Sequence, residues 1–355
     1  MATEKKRRRR GHQQVSLHDV ARRAGVSPMT VSRVVSGAPH VQDATRARVQ
    51  AMIQKLGYSP NLAARNLASA GALRIGVMYG NPSASYTSEL LVSLLANSGR
   101  IGCQLILEKS ASPRTARAAA RRLIDAEVSG VILPTPLCDS LDLLQLFDEA
   151  GVPTLAAGTG REDADGLSIR IDNRLAACEM TKYLLSLGHR AIGFIRGHPD
   201  MIDCEQRYQG FEDALRDAGL AASPTLVKQG QYTFRSGLIA AEELLAATPR
   251  PTAIFASNDE MAAGVLAAAH KCRLEVPQDL SIAGFDDAPL ATTLWPGLTT
   301  IRQPIDTLTE LALGMLAAEI RRRRAGAPPA RVQKKVKLSL IKRDSAAAPL
   351  ARTAG

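Results

Sequence analysis

Leu17, Val20, Ala21 and Ala24 recur at i, i+3, i+4 and i+7, the buried stripe of a short helix. Gly25 stops it. Ser27 then suits an N-cap and Pro28 the first helical position of a second helix, whose stripe is Val31, Val34 and Val35. Gly37 and Pro39 end that helix, and Asp43 is expected to cap a third, turning Ala44, Val49, Ile53 and Leu56 inward. Two short helices around a glycine-containing turn, closed by a third, spell a helix-turn-helix unit. In "GYSPNLAARNLASAG", Asn61 can cap a helix over residues 62–69, too short to be stable alone in water. Ala63, Ala64 and Ala68 permit close backbone approach, and Leu67 is its bulky apolar side chain. Composition serves equally an apolar wedge for a DNA minor groove and a plain linker helix packed on the next domain.

From Leu73 the pattern changes. "LRIGVMY", "CQLILE", "GVILP", "VPTLAAG", "LSIRID", "AIGFIRG", "TAIFASND" and "DLSIAGFDD" read as strands. Helical stretches lie between them, at residues 113–126, 141–150, 176–187 and 260–273. Strand and helix in alternation predict an α/β fold, with parallel sheets covered on both faces and arranged as two subdomains. The final "DSAAAPLARTAG" has no pattern, so residues 344–355 are expected to form a disordered tail.

Charge sharpens the division. The 355 residues carry a formal net charge of +11, and residues 1–65 hold thirteen Lys or Arg against three acids. About +10 therefore belongs to the N-terminal segment and about +1 to everything behind it, which points to a polyanion partner for the first and an ordinary globule for the second. The run Lys5–Arg10, in an expected disordered tail over 1–14, suits non-specific phosphate attraction. No apolar segment follows it as in a signal peptide, and no stretch reads as a membrane span. The five cysteines are scattered without metal-binding spacing, as reduced core thiols of a cytoplasmic protein would be. No metal or cofactor is expected.

Candidate chemistry falls in two places. Met29, Thr30, Ser32, Arg33 and Ser36 form the polar face of the second helix, short or hydrogen-bonding side chains suited to base edges in a major groove, where the bland alternative is a solvated surface. In the α/β part, ligands sit at the carboxyl ends of strands. Asn258 and Asp259 follow one strand there, Asp286 and Asp287 another, and Arg207 opens the helical "RYQGFEDAL". Carboxylates accept from hydroxyls and arginine donates in a fixed fork, the set a polyhydroxylated ligand needs. Tyr86, Tyr232 and Trp295 can supply walls. Each Asp or Asn taken singly is better explained as a helix cap, and only their convergence argues for a site.

"SLHDVARRAGVSPMTVSRVVSG", "GYSPNLAARNLA", "LGHRAIGFI", "RYQGF", "SNDEMAAGVL" and "LTTIRQP", in this order from Val15 to Arg343, resemble the lactose-repressor/galactose-repressor (LacI/GalR) family. The resemblance implies a DNA-binding headpiece at 15–60, a hinge helix at 61–71, and an effector-binding, dimerising core at 72–343 like that of periplasmic sugar-binding proteins. The core would have an N-subdomain of 73–171 plus 301–330 and a C-subdomain of 172–300 plus 331–343, with crossings near Ile171, Thr300 and Ala330. It implies base reading at Pro28, Met29 and Arg33, and phosphate contacts at Ser16, Ser27, Thr30, Ser32, Thr45 and Asn61. It gives Leu67 the place of the intercalating hinge leucine, and the effector cleft Tyr86, Ile171, Arg207, Tyr232, Asn258 and Asp286. The lactose repressor has an aspartate where Gly158 aligns and a Tyr-Gln pair where Pro28 and Met29 stand, so effector and operator bases are expected to differ. No leucine-heptad segment follows Arg343, so a dimer rather than a tetramer is expected.

The function these readings converge on is transcriptional repression. Two headpieces of a homodimer read a pseudo-palindromic operator, and a small metabolite, a sugar or sugar derivative, changes their grip from the core cleft. An α/β enzyme with an accessory DNA-binding domain is disfavoured by the lack of a P-loop, a GxSxG elbow, a metal cluster or paired catalytic carboxylates. A solute-binding protein of a transporter is disfavoured by the basic headpiece.

Overall fold

The structure, a computed structural model, describes residues 15–35, 41–56, 58, 73–110, 112–161 and 166–350. The expectations for residues 1–14, for Ser36, Gly37 and Pro39, and for the hinge with Asn61 and Leu67 fall outside the described residues. The chain divides into two compact units, residues 1–72 and 73–355.

In the first unit, α1 (Leu17–Ala24) opens with a capping box, in which Ser16 Oγ accepts from Asp19 N while the Asp19 carboxylate accepts from Ser16 N. Gly25 closes α1 in the left-handed region at φ 62°, a conformation glycine adopts without strain. α2 (Pro28–Val35) starts at Pro28, and Ser27 Oγ accepts from Thr30 N at 3.1 Å. α3 (Asp43–Leu56) places Asp43 inside its first turn rather than at the cap. Val20, Ala21, Ala24, Val31, Val34 and Val49 are the buried core, with Ile53 and Leu56 packed against it. Ala44 is exposed instead, because it sits on the far side of the turn from Val49.

The second unit begins with β1 (Leu73–Tyr79), α4 (Ala84–Ile101), β2 (Cys103–Lys109), α5 (Pro113–Asp125), β3 (Gly130–Pro134), α6 (Leu141–Glu149), β4 (Thr154–Thr159) and β5 (Leu167–Ile171). It continues with α7 (Asn173–Ser186), β6 (Ile192–Arg196), α8 (Ile202–Asp217), β7 (Val227–Gln229), α9 (Phe234–Leu245), β8 (Ala253–Ala256), α10 (Asp259–Lys271) and β9 (Ser281–Ala283). It closes with α11 (Leu290–Thr293), β10 (Thr300–Arg302), α12 (Ile305–Arg324), β11 (Val332–Val336) and β12 (Ser339–Ile341). One parallel sheet runs β11-β5-β4-β3-β1-β2 and the other β7-β6-β8-β9, while β10 and β12 form an antiparallel pair. α4 packs with α12, α7 with α8 and α9 with α10, so helices cover the sheets. The strand runs predicted from sequence fall on β1 to β6, β8 and β9. β7 (VKQ) and β10 (TIR) carry no apolar run to be read beforehand, unlike the equally short β9 (SIA).

Two expectations change here. β11 adds in parallel to β5, Val332 opposite Leu167 and Val336 opposite Ile171, so residues 332–336 belong to the first lobe. The third crossing therefore lies at Lys337 rather than near Ala330; the other two lie after Ile171 and at Arg302–Pro304. The tail is ordered through its first half. Ile282 N donates to Ser345 O at 2.7 Å, Ser345 Oγ donates to Ile282 O at 2.6 Å, and Ser281 Oγ donates to Ala347 O at 3.0 Å. Small residues seated beside β9 by backbone bonds leave no apolar period to detect.

Candidate functional site

In the first unit, α2 presents Pro28, Met29, Ser32 and Arg33 as exposed residues, with Met29 63% exposed. Met29 and Arg33 are four residues apart and share a face. Ser27 and Ser16 are exposed but already serve as helix caps, and Thr30 Oγ1 lies 2.9 Å from Ser27 Oγ. Thr45 is half-buried on α3. This face carries short polar groups along the helix and one guanidinium, Arg33, in its last turn, a surface able to approach an anionic groove.

In the second unit, the carboxyl ends of both sheets meet in a narrow cleft lined by Asn81, Ser83, Tyr86, Thr135, Asp203, Arg207, Tyr232, Asn258, Asp286 and Gln303. Arg207 is its centre. It does not open a helix, as the sequence reading had it, but sits in the second turn of α8, 3% exposed. Its Nε donates to Asn173 Oδ1 at 3.0 Å and Nη1 donates to Ser257 O. Nη2 stands 3.5 Å from Asp203 Oδ2 and Nη1 stands 3.9 Å from Asp286 Oδ1. The guanidinium lies 3.7 Å from the Phe285 ring centroid, so one planar face is stacked and the edge is shared between carboxylates.

Asp286 accepts from Gln303 Nε2 at 2.7 Å. Burial raises its carboxyl from 3.8 to about 7, against the opposing pull of Arg207 and of the Gln303 hydrogen bond. Tyr86 and Tyr232 are pushed up chiefly by burial as well. Tyr232 Oη and Gln303 Oε1 are buried and find no partner among the described residues, the state of groups kept for a ligand. Backbone strain collects here too, with non-glycine φ values of 60° at Tyr232, 118° at Asp286 and 59° at Asp287.

Four of the six expected effector residues, Tyr86, Arg207, Tyr232 and Asp286, thus converge with groups directed at the cleft. Asn258 lines it as well, but its side chain also caps α10, accepting from Met261 N at 2.9 Å and donating to Tyr232 O at 3.0 Å. Ile171 does not line it. It ends β5 buried in the hydrophobic core that continues through the first crossing. Trp295 is 84% exposed and forms no wall. Asp259 and Asp287 are structural: Asp259 accepts from Thr300 Oγ1 at 2.6 Å and Ala288 N at 2.9 Å, and Asp287 pairs with Arg302 and Arg343. Gly158, at φ 83°, lies behind Tyr86, where a β-carbon would stand 3.9 Å from the tyrosine hydroxyl.

Sequence reading missed Asn81, Ser83, Thr135, Asp203 and Gln303. Asn81 and Thr135 follow β1 and β3 and obey the strand-end rule already applied. Asp203 is one helical turn before Arg207. Gln303 lies in a crossing and had no signal. The lobes are also tied directly: Glu260 Oε1 accepts from Ser83 Oγ at 3.0 Å and Ser85 N at 2.7 Å, and Gln206 Nε2 donates to Gly160 O at 2.8 Å. Among the described residues no group of three His, Cys, Asp or Glu could hold a metal ion, and no helix is long and apolar enough to cross a membrane. Of the five free cysteines, Cys138 and Cys204 are buried, while Cys272 is exposed rather than in the core.

Residues 16–61 match the bacterial regulatory proteins of the lacI family, and residues 181–346 match a periplasmic-binding-protein-like domain. Catabolite control protein A of Priestia megaterium is 34% identical over 304 residues, 85% of this chain and 91% of that protein. The HTH-type transcriptional repressor PurR of Pectobacterium carotovorum subsp. carotovorum (strain PC1) is 34% identical over 314 residues, 88% of this chain and 92% of that one. Among solved structures, a complex of the transcriptional regulator CelR with cellobiose is similar with a TM-score of 0.69 and 28% identity, covering 93% of this chain and 99% of that one. The lac repressor dimer bound to operator and the anti-inducer ONPF has a TM-score of 0.71 and 27% identity, covering 95% and 100%.

Proposed function

The chain belongs to the lacI family of bacterial regulatory proteins, and from that premise we propose that it is a cytoplasmic homodimeric repressor whose operator affinity is set by a sugar or sugar derivative held between the core lobes. The headpiece over 15–60 reads bases with Pro28, Met29 and Arg33. Ser16, Ser27, Thr30, Ser32, Thr45 and Asn61 contact phosphates. Leu67, in the hinge at 61–71, enters the minor groove as an apolar wedge. Two-fold symmetry puts the half-sites about one helical turn apart.

The observation that carries the effector part is the convergence of Arg207, Asp203 and Asp286 in one buried cleft. Two carboxylates beside one guanidinium leave an acceptor surplus, which suits a neutral ligand with hydroxyls to donate. Stacking against Tyr86 or Tyr232 suits the apolar face of a sugar ring. The effector closes or reorients the lobes, disfavours the hinge arrangement that holds the operator, and so releases it. Such couplings are typically about 1–3 kcal/mol and reciprocal. No enzymatic reaction is proposed.

The test is fluorescence anisotropy of the whole protein on a duplex from the gene's own upstream region, with and without a panel of neutral mono- and disaccharides. Binding that one of these sugars weakens supports the reading. Binding to that duplex no tighter than to a scrambled one overturns it.

A further inference from the structure

Residues 319–337, "EIRRRRAGAPPARVQKKVK", hold eight Lys or Arg and one acid, net +7, in a core part of the chain (66–355) whose total is about +1. Charge is therefore segregated within the core. The last turn of α12 carries Arg321, Arg322, Arg323 and Arg324. Buried Glu319 accepts from Arg322 Nε at 3.1 Å and from Arg323 Nε at 2.8 Å, and Lys335 further along the segment pairs with Asp172 at 2.7 Å. Arg321 and Arg324 are exposed and have no ion pair among the described residues, and the same holds for Arg74. Arg324 Nη2 donates to Ser129 Oγ at 3.3 Å, and the same oxygen accepts from Arg74 N at 3.2 Å. The arginines thus flank the start of β1, where the chain arrives from the first unit. Arg331, ahead of β11, extends the line. From β1 to β11 is four strand positions in the sheet order, about 19 Å at the usual strand spacing.

We propose that this strip, centred on Arg74, Arg321 and Arg324, is a second DNA-phosphate surface, carried by the core itself. It rests on the DNA-binding reading above. The favourable position of cations at the negative end of α12 accounts for a stabilised helix. It does not account for Arg74 on a strand, nor for a +7 segment within an otherwise acidic core. DNA is the favoured partner because of tethering. Residues 57–72 join α3 to β1, and sixteen residues in any conformation span at most about 58 Å. A duplex held by the headpiece is therefore tethered to the core that carries the strip, which raises its effective concentration there. Guanidinium groups in a row suit phosphate oxygens, and each contact formed releases counterions.

The experiment uses the full chain and two fluorescein-labelled 40-bp duplexes, one from its own upstream region and one of mixed sequence. Binding is followed by anisotropy across about 50–300 mM KCl. For Arg321→Gln with Arg324→Gln, the slope of log K against log[KCl] should shrink by about two on both duplexes, and affinity at 0.1 M salt should fall about sixty-fold, from roughly 0.9 counterion released per phosphate contact. Arg321→Lys with Arg324→Lys keeps the charges and should restore most of the slope, which separates lost contacts from misfolding. Arg114→Gln with Arg235→Gln removes two exposed charges elsewhere and should leave the slope unchanged. A wild-type slope in the Gln pair, or an equal loss in the Arg114 and Arg235 control, overturns the proposal. If instead no variant and no wild-type protein prefers the upstream duplex over the mixed one, it is the operator-binding reading that fails, and the slopes still decide the strip.

Discussion

The guanidinium of Arg207 lies 3.7 Å above the ring of Phe285, buried, with Asp203 and Asp286 on its edge. A planar, delocalised cation is needed for both relations at once, since an ammonium cannot stack and fork together. Arg207→Lys is therefore expected to keep the fold and operator binding but to weaken effector affinity by about tenfold to a hundredfold, because hydrogen bonds to buried charged groups are lost. Calorimetric titration of the effector beside operator anisotropy reads this. Wild-type effector affinity in the Lys variant would place the ligand elsewhere.

Asp286 gives the ligand-free core a pH dependence. Its carboxyl holds a proton up to about 7 when folded and to about 3.8 otherwise, chiefly because of burial. The folded state thus binds the proton more tightly, so this group's contribution is complete below about pH 4 and is lost as pH rises through about 7. Asp286→Asn cannot lose it. The melting temperature of the variant minus that of wild type should increase from pH 5 to about pH 7 and level off above it. Glu89, half-buried and raised to about 7 by burial and then by Asp306 and Asp287, leaves a residual decline in both proteins. A difference that stays flat across this range would mean Asp286 is ionised throughout.

Glu260 caps the start of α4 from the opposite lobe, accepting from Ser83 Oγ and Ser85 N. It stabilises the closed arrangement specifically. Glu260→Ala should open the ligand-free core and lower effector affinity about three- to tenfold through a smaller closed population, with Arg207, Asp203 and Asp286 untouched and Ser83 alone among the cleft residues losing a partner. Small-angle scattering without and with saturating effector should show a larger radius only in the first case. Identical radii and affinity would show that the latch is incidental.

α9 and α10 approach through glycine. A β-carbon at Gly237 would stand 2.4 Å from both Cα and the carbonyl oxygen of Met261. These neighbours are backbone atoms, which a rotamer change cannot move. Gly237→Ala is expected to cost about 1–3 kcal/mol by overpacking, a fall in melting temperature of about 3–10 °C for a core of this size. Scanning calorimetry at fixed concentration measures it, and an unchanged transition would mean that the helices separate freely.

Much of this protein could be read from its sequence, for identifiable reasons. Valine and alanine stripes, the Ser27-Pro28 start and the Gly25 stop define the headpiece helices, since capping and periodicity are local properties of the chain. Apolar runs of five to seven residues marked the longer strands, because a strand buried on both faces needs no alternation. Strand-end polar residues gave Arg207, Asn258 and Asp286, and the same rule applied further would have added Asn81 and Thr135.

Other assignments belonged to tertiary structure. Nothing local separates Asp286, which faces the cleft, from Asp287, which pairs with Arg302 and Arg343; a strained turn with φ 118° and 59° at consecutive residues sends them apart. Ile171 and Trp295 look suitable as walls until one is buried in the core at the end of β5 and the other left in solvent. β11 was assigned to the wrong lobe because its pairing with β5 joins residues 160 or more positions apart, and hydrogen bonds across that distance leave no mark on the spacing of side chains. Sequence alone determined which elements form, because that is decided by neighbours a few residues away. Which polar groups share a cleft was decided by chain segments brought together only when the two sheets assemble.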